Sequence, residues 1–92
     1  MVNEDFKTPV ELGNLITRNV RAYRKARKLT QRRLSEMSGV SYGSVKRFES
    51  SGEIALLSLL KIAVVLDCTE AFEQLFANQA PQSIQEIIDG NL

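Results

Sequence analysis

With 92 residues, of which 43% are hydrophobic, the chain has the size of one small domain with one modest core, and its formal net charge is only +1. It has no histidine and a single cysteine, which excludes a Ser-His-Asp or Cys-His catalytic site, an internal disulfide and the usual zinc-ligand spacings. The five glycines are scattered and form no phosphate-binding loop, so the composition predicts a non-enzymatic protein without a cofactor or metal.

The first predicted helix begins at Pro9 and runs to about Arg27. Thr8 and Glu11 have the spacing of a capping box, and proline is favoured at the first helical position. Residues 1–8 are therefore expected to form a flexible arm ahead of the helix.

This helix has two contrasting faces. Its apolar residues fall on one side and are expected to face the core: Leu12, Leu15, Ile16, Val20, Tyr23 and Ala26. Basic residues form a stripe on the opposite side: Arg18, Arg21, Lys25 and Lys28. Such a stripe is either a solvated face that keeps the helix soluble or a surface that contacts phosphates.

Two short amphipathic patterns follow, over residues 31–38 and 42–50. Their apolar residues recur at intervals of three to five and predict a shared core: Leu34, Met37, Val40, Val45 and Phe48. Gly39 suits the left-handed end of the first helix, and Ser41 can cap the second. The spacing is that of a helix-turn-helix.

Residues 54–66 are apolar almost throughout, which predicts a helix packed on several sides. The stretch has 13 residues and is interrupted by Ser58 and Lys61, so it is shorter than the roughly 20 residues that span a bilayer. The N-terminus has no charged-then-apolar secretory leader. We therefore expect a cytoplasmic protein without membrane contact.

The C-terminal part carries two further helical patterns separated by Pro81. The first covers residues 69–76, and a capping-box pattern over residues 83–86 opens the second within a tail of residues 78–92. Their apolar residues are candidates for contact with a second chain or another partner: Phe72, Leu75, Phe76, Ile84, Ile87 and Ile88. For the three isoleucines the alternative is that they fold back over the core.

Charge is divided unevenly along the chain. Residues 18–49 hold ten Lys or Arg against two acids, whereas residues 50–92 hold Lys61 against six acids. Basic clusters bind the phosphate backbone of nucleic acids with release of counterions. The pattern predicts a DNA-facing half and a partner-facing half.

The helix-turn-helix segment carries seven residues at the spacing of a known family: Thr30, Gln31, Leu34, Gly39, Val40, Ser41 and Val45. It resembles the Cro/cI-type (XRE-type) helix-turn-helix family over roughly residues 12–77. The resemblance implies an all-α, lambda-repressor-like five-helix DNA-binding domain over residues 9–77, to which this chain adds a short C-terminal helix. It also implies a repressor that binds double-stranded DNA sequence-specifically, as a homodimer on a palindromic operator with half-sites about 34 Å apart.

By the same resemblance, the first residues of the third helix enter the major groove. The base-contacting positions map onto Tyr42, Gly43, Ser44 and Arg47, and we expect Arg47 to contact O6 and N7 of a guanine. Phosphate contacts are expected of five residues: Lys28, Gln31, Arg32, Ser41 and Lys46. Arg24 and Glu49 are expected to form a structural ion pair.

In two places the chain departs from the family pattern. Many relatives have a hydrogen-bonding side chain where this chain has Gly43, so we expect greater reliance on DNA shape. Ala55 and Leu57 stand where members often have a serine or threonine cap and an acid. The first turn of the fourth helix is therefore either less well capped or covered by another subunit.

A second hypothesis comes from residues 47–76, which are similar to small regulators of the HipB type that are encoded beside HipA-like kinases. This resemblance implies an antitoxin that binds a toxin kinase encoded nearby and represses its own operon. Truncation after Asn78 would then abolish partner or subunit association and leave the third helix intact.

Overall fold

A computed structural model describes residues 7–77, and in this range the chain is helical without strands. It forms five helices: α1 (Pro9–Ala26), α2 (Gln31–Ser38), α3 (Tyr42–Ser51), α4 (Leu56–Val65) and α5 (Glu70–Glu73). The predicted all-α class and five-helix order are confirmed. The predicted C-terminal helix with its three isoleucines, and most of the N-terminal arm, lie outside the described residues.

The helix ends follow from local sequence. Thr8 Oγ1 accepts a hydrogen bond from the Glu11 amide at 3.1 Å, and the Glu11 carboxylate accepts one from the Thr8 amide at 2.8 Å. These bonds lower the pKa of Glu11. Gly39 and Gly52 end α2 and α3 with φ values of 78° and 80°, a conformation that favours glycine. The chain therefore encodes the start of α1 and the ends of α2 and α3 locally.

The start of α4 is less well specified. Its N-cap residue is Ala55, which offers no side-chain hydrogen bond to the free amides of the first turn. Leu56 and Leu57 in this turn are exposed. The missing side-chain cap is confirmed, and the alternative that another subunit covers this turn stays a prediction.

The core lies where α2, α3 and α4 meet, and α1 packs against α3 from outside. Its largest fully buried side chains come from these three helices and from the residue that follows α4: Leu34, Val45, Phe48, Ile62 and Leu66. Val20 from α1 and Val40 from the turn between α2 and α3 complete the cluster. The helix-turn-helix is thus held against α4 by shared apolar burial.

Two core predictions are wrong. Met37 is 48% exposed, because α2 turns Leu34 inward and binds the following turn through serine hydroxyls. Ser35 Oγ donates to the Val40 carbonyl at 2.6 Å, and Ser38 Oγ accepts from the Val40 amide at 3.1 Å. Met37 lies outside this bonded side of the helix.

The other wrong prediction concerns the face of α1. Of the predicted face, Val20 is buried and Leu15 is half-buried, whereas Leu12, Ile16, Tyr23 and Ala26 are exposed. The other buried residues of α1 are Thr17 and Arg24. The reason is a close approach to the end of α3: a Cβ at Gly52 would lie 3.4 Å from Thr17 Oγ1. Packing the small Thr17 face against Gly52 rotates the larger apolar side chains outward.

An apolar groove of about 700 Å³ lies between α1 and the segment that contains α5. Its lining includes Ile16, Tyr23, Cys68, Phe72 and Leu75. The helix predicted over residues 69–76 is shorter in the structure: α5 ends at Glu73, turns follow, and Phe76 has a left-handed φ of 63°. Within residues 7–77, no helix combines the length and apolarity needed to cross a membrane.

Candidate nucleic-acid interface

The first turn of α3 is open and capped by its own sequence. Ser41 Oγ accepts from the Ser44 amide at 3.1 Å and donates to Ser44 Oγ at 2.8 Å. Gly43 and Ser44 are exposed, and a Cβ built at Gly43 would meet nothing within 4 Å. A groove of DNA can therefore approach the backbone closely at Gly43.

Tyr42 is half-buried between two cations. The guanidinium carbon of Arg32 lies 4.2 Å from the centre of the Tyr42 ring, and Lys46 Nζ lies 4.8 Å from it. A cation over an aromatic face is attracted by the electron-rich ring. Each of these residues was expected to have a separate role, whereas their contact, which joins α2 to the first turns of α3, was not predicted.

Arg47 has an intramolecular partner that its position in the sequence did not predict. Its Nη2 and Nε donate to Glu53 Oε1 at 2.6 and 3.1 Å, and both side chains are well exposed. They border a cleft of about 310 Å³ that Ser44 and Ala55 also line. The only sequence signal for this contact is Gly52, whose left-handed conformation turns the chain back after α3.

Arg24 and Glu49 lie in a bidentate ion pair. Arg24 Nε and Nη2 donate to the two Glu49 carboxylate oxygens at 2.7 and 2.8 Å, and the residues are 9% and 4% exposed. Arg24 Nη1 donates to the Leu29 carbonyl at 2.8 Å, which also fixes the turn between α1 and α2. The pair therefore ties α1 to the end of α3.

Glu49 has further partners. Gln31 Nε2 donates to Oε1 at 2.9 Å, and Arg21 Nη2 donates to the backbone carbonyl at 2.9 Å. Burial raises the pKa of the Glu49 carboxyl, but the hydrogen bonds from Arg24 and Gln31 and the charges of Arg24 and Arg21 outweigh it, so this pKa lies below its ordinary value. Glu49 is therefore the ionised centre of a network that joins α1, α2 and α3.

This network corrects one prediction and adds a role to another residue. Arg21 was placed on a basic stripe opposite the core, but it lies against Glu49 because α1 is rotated toward α3. Gln31 uses one amide hydrogen on Glu49 and keeps the second, so its phosphate contact stays a prediction. Arg18, Lys25 and Lys28 are exposed.

The predicted partner contacts are only partly described. Phe72 is half-buried beside the apolar groove, whereas Leu75 and Phe76 are exposed. Ile84, Ile87 and Ile88 lie outside the described residues. Over the part of the chain that the structure describes, no three His, Cys, Asp or Glu side chains are grouped as a metal site.

The comparisons with known proteins give one result. A family model described as helix-turn-helix matches residues 20–72, which include the second part of α1, all of α2, α3 and α4, and the beginning of α5. No curated protein and no solved structure matches the chain. The matched range contains the contact of Arg32 and Lys46 with the Tyr42 ring, the Arg47–Glu53 ion pair and the hydrogen bonds around Glu49.

Proposed function

The chain belongs to this helix-turn-helix family of DNA-binding transcriptional regulators, and from that premise we propose that it is a sequence-specific repressor acting as a homodimer on a palindromic operator. The observation that carries the proposal is the open first turn of α3, which is flanked by Arg32, Lys46 and Arg47. Bases are contacted by side chains at the start of a recognition helix, and phosphates by the cations around it.

In the proposed complex, α3 lies in the major groove. Arg47 contacts a guanine, and Tyr42 and Ser44 lie beside it against neighbouring base edges. Because Gly43 has no side chain, its contribution is close approach of the backbone rather than a base-specific hydrogen bond. Specificity then depends on few direct contacts and on the shape of the DNA.

Phosphate contacts on both sides of the groove would set the position of α3. Arg32 and Lys46 are held on the Tyr42 ring, and Lys28 extends from the turn after α1. Gln31 and Ser41 stand at the positive ends of α2 and α3, where free backbone amides favour anions. Since the Ser41 hydroxyl hydrogen is used on Ser44, we assign the phosphate contact of Ser41 to the free amides at this helix end.

The homodimer is proposed from the apolar groove between α1 and α5. Ile16, Tyr23 and Leu75 line it and are exposed, and contiguous apolar surface of this kind is typical of interaction sites. A second copy of the chain on this surface would bring a second α3 into the same assembly, as a palindromic operator requires.

The antitoxin hypothesis uses the same groove for a different partner. The acidic balance of residues 50–92 and the exposed apolar side chains are compatible with a kinase partner. We favour the repressor, because the family match over residues 20–72 is to a helix-turn-helix and rests on no feature specific to a kinase partner. A protein that binds DNA only weakly until a partner is added would favour the antitoxin instead.

The test is binding to the DNA upstream of the chain's own coding sequence, measured for the wild type and Arg47→Ala at two salt concentrations. We expect tight, salt-sensitive binding by the wild type and loss of sequence preference in the variant. Lys61→Ala is a matched control, since it removes one positive charge from α4, outside the basic segment. Weak and indiscriminate binding by wild type and Arg47→Ala alike would contradict the repressor proposal.

A further inference from the structure

The exposed ion pair between Arg47 and Glu53 leaves the arginine ready for one kind of contact. An arginine side chain has five N–H donors in a rigid plane. The Nε hydrogen and one Nη2 hydrogen are used on Glu53 Oε1. The two Nη1 hydrogens and the second Nη2 hydrogen remain, and these form the end of the fork that fits O6 and N7 of a guanine.

Ser51 holds the backbone of Glu53 close to the backbone of Arg47. Ser51 Oγ donates to the Arg47 carbonyl at 2.7 Å and accepts from the Glu53 amide at 3.3 Å. Gly52 between them has a φ of 80° and lies against Thr17 of α1. The backbone that carries Glu53 is therefore bonded to the turn of α3 that carries Arg47.

The pair has little value as a stabilising contact. The side chains of Arg47 and Glu53 are 71% and 65% exposed, and exposed ion pairs contribute little to folding stability. Glu53 also has an electrostatic cost for DNA binding, because its negative charge lies beside the proposed interface and repels phosphates. A carboxylate in this place therefore weakens non-specific binding to DNA.

We propose that Glu53 is a positioning residue that fixes the Arg47 guanidinium for guanine recognition and so determines the specificity of α3. The inference rests on the proposed function, in which Arg47 contacts a base. Holding the guanidinium before DNA arrives removes the conformational entropy that a free arginine would lose on binding. Glu53 thereby raises discrimination between bases while it lowers affinity for DNA of arbitrary sequence.

The experiment begins with duplexes selected by the full-length wild type from a random-sequence library. Each G·C pair of the selected sequence is then replaced in turn, and dissociation constants are measured for the selected, the replaced and a random-sequence duplex. Arg47→Ala is expected to lose roughly 5- to 150-fold of discrimination at one G·C pair. Glu53→Ala is expected to lose roughly 1.5- to 5-fold at the same pair, the range that an exposed ion pair can contribute.

Three further measurements separate positioning from a structural role. Glu53→Ala should bind the random-sequence duplex at least as tightly as the wild type and should unfold at the same temperature, whereas a damaged α3 would lose affinity for every duplex. Glu53→Gln keeps an acceptor oxygen and should retain part of the discrimination. Glu36→Ala is the matched control, because it removes an equal charge from an exposed pair with Arg33 on α2. It should leave discrimination unchanged.

Discrimination by Glu53→Ala equal to that of the wild type, with Arg47→Ala impaired, would overturn the inference and leave the proposed function standing. Unchanged discrimination in Arg47→Ala would overturn the inference by placing guanine recognition on another residue. A wild type that selects no sequence from the library would overturn the proposed function and the inference together.

Discussion

Removing one partner of the Arg24–Glu49 pair should destabilise the domain severely. Arg24→Ala leaves the Glu49 carboxylate buried with only Gln31 and the more distant Arg21, whose Nε lies 3.7 Å away. Breaking a buried pair from one side typically costs about 3–5 kcal/mol. Because Gln31 and Arg21 remain, we expect about 3 kcal/mol for Arg24→Ala. Glu49→Ala strands the arginine charge and should cost more.

These losses are large for so small a protein. A chain of this length is expected to have an unfolding free energy of about 5–14 kcal/mol, and about 3 kcal/mol corresponds to a fall in melting temperature of about 12–24 °C. The assay is thermal and urea unfolding followed by circular dichroism. Arg33→Ala, which breaks the exposed pair with Glu36, is the control and should change stability by less than about 1 kcal/mol.

A double substitution separates the charge from the packing. Arg24→Met combined with Glu49→Leu removes both charges and keeps apolar volume, so it should be more stable than either alanine variant. An Arg24→Ala variant that melts within about 2 °C of the wild type, well inside the expected fall, would refute the assignment of this pair as structural.

Three other predictions concern different parts of the molecule. The folded pKa of Glu49 lies below its unfolded value, so the ionised carboxylate stabilises the fold above the unfolded pKa. This stability should be lost as the pH falls through the folded pKa. In urea unfolding across acidic pH, the unfolding free energy of Glu49→Gln should therefore depend less on pH than that of the wild type. Gly52→Ala should cost about 1–2 kcal/mol, since its φ is left-handed, whereas Gly43→Ala lies in open helix and should stabilise by up to about 1 kcal/mol; equal melting temperatures for the two variants would contradict this. Cys68 lines the apolar groove, and burial raises the pKa of its thiol. If a second copy covers the groove, the rate of thiol modification should fall as protein concentration rises, and a constant rate would place the dimer contact elsewhere.

The sequence predicted those features that depend on a few neighbouring residues. Three local signals predicted helix ends that agree with the structure within a residue or two: the capping box at Thr8, the left-handed turn at Gly39 and the serine cap at Ser41. Such signals need only local hydrogen bonds and backbone conformation. Helix order and class therefore followed from the sequence alone.

The sequence did not predict the rotation of α1, because this helix offers more than one face to the core. Periodicity favoured burial of the apolar face with Ile16 and Tyr23. In the structure α1 instead turns Thr17 toward Gly52, and Ile16 and Tyr23 are exposed. Contact of Glu53 with Arg47 was missed for a related reason. It depends on the direction of the chain after Gly52, which periodicity does not report.

The Glu49 network has a consequence for the kinetics of association. One residue binds α1 through Arg24 and Arg21 and α2 through Gln31, so α3 cannot tilt without breaking bonds to both neighbours. In the proposed complex, α3 would therefore meet DNA in a fixed orientation, and docking would need no prior rearrangement of the domain. Its association rate should be governed by diffusion and by the field of the basic segment, and it should fall steadily with added salt without a slow conformational phase.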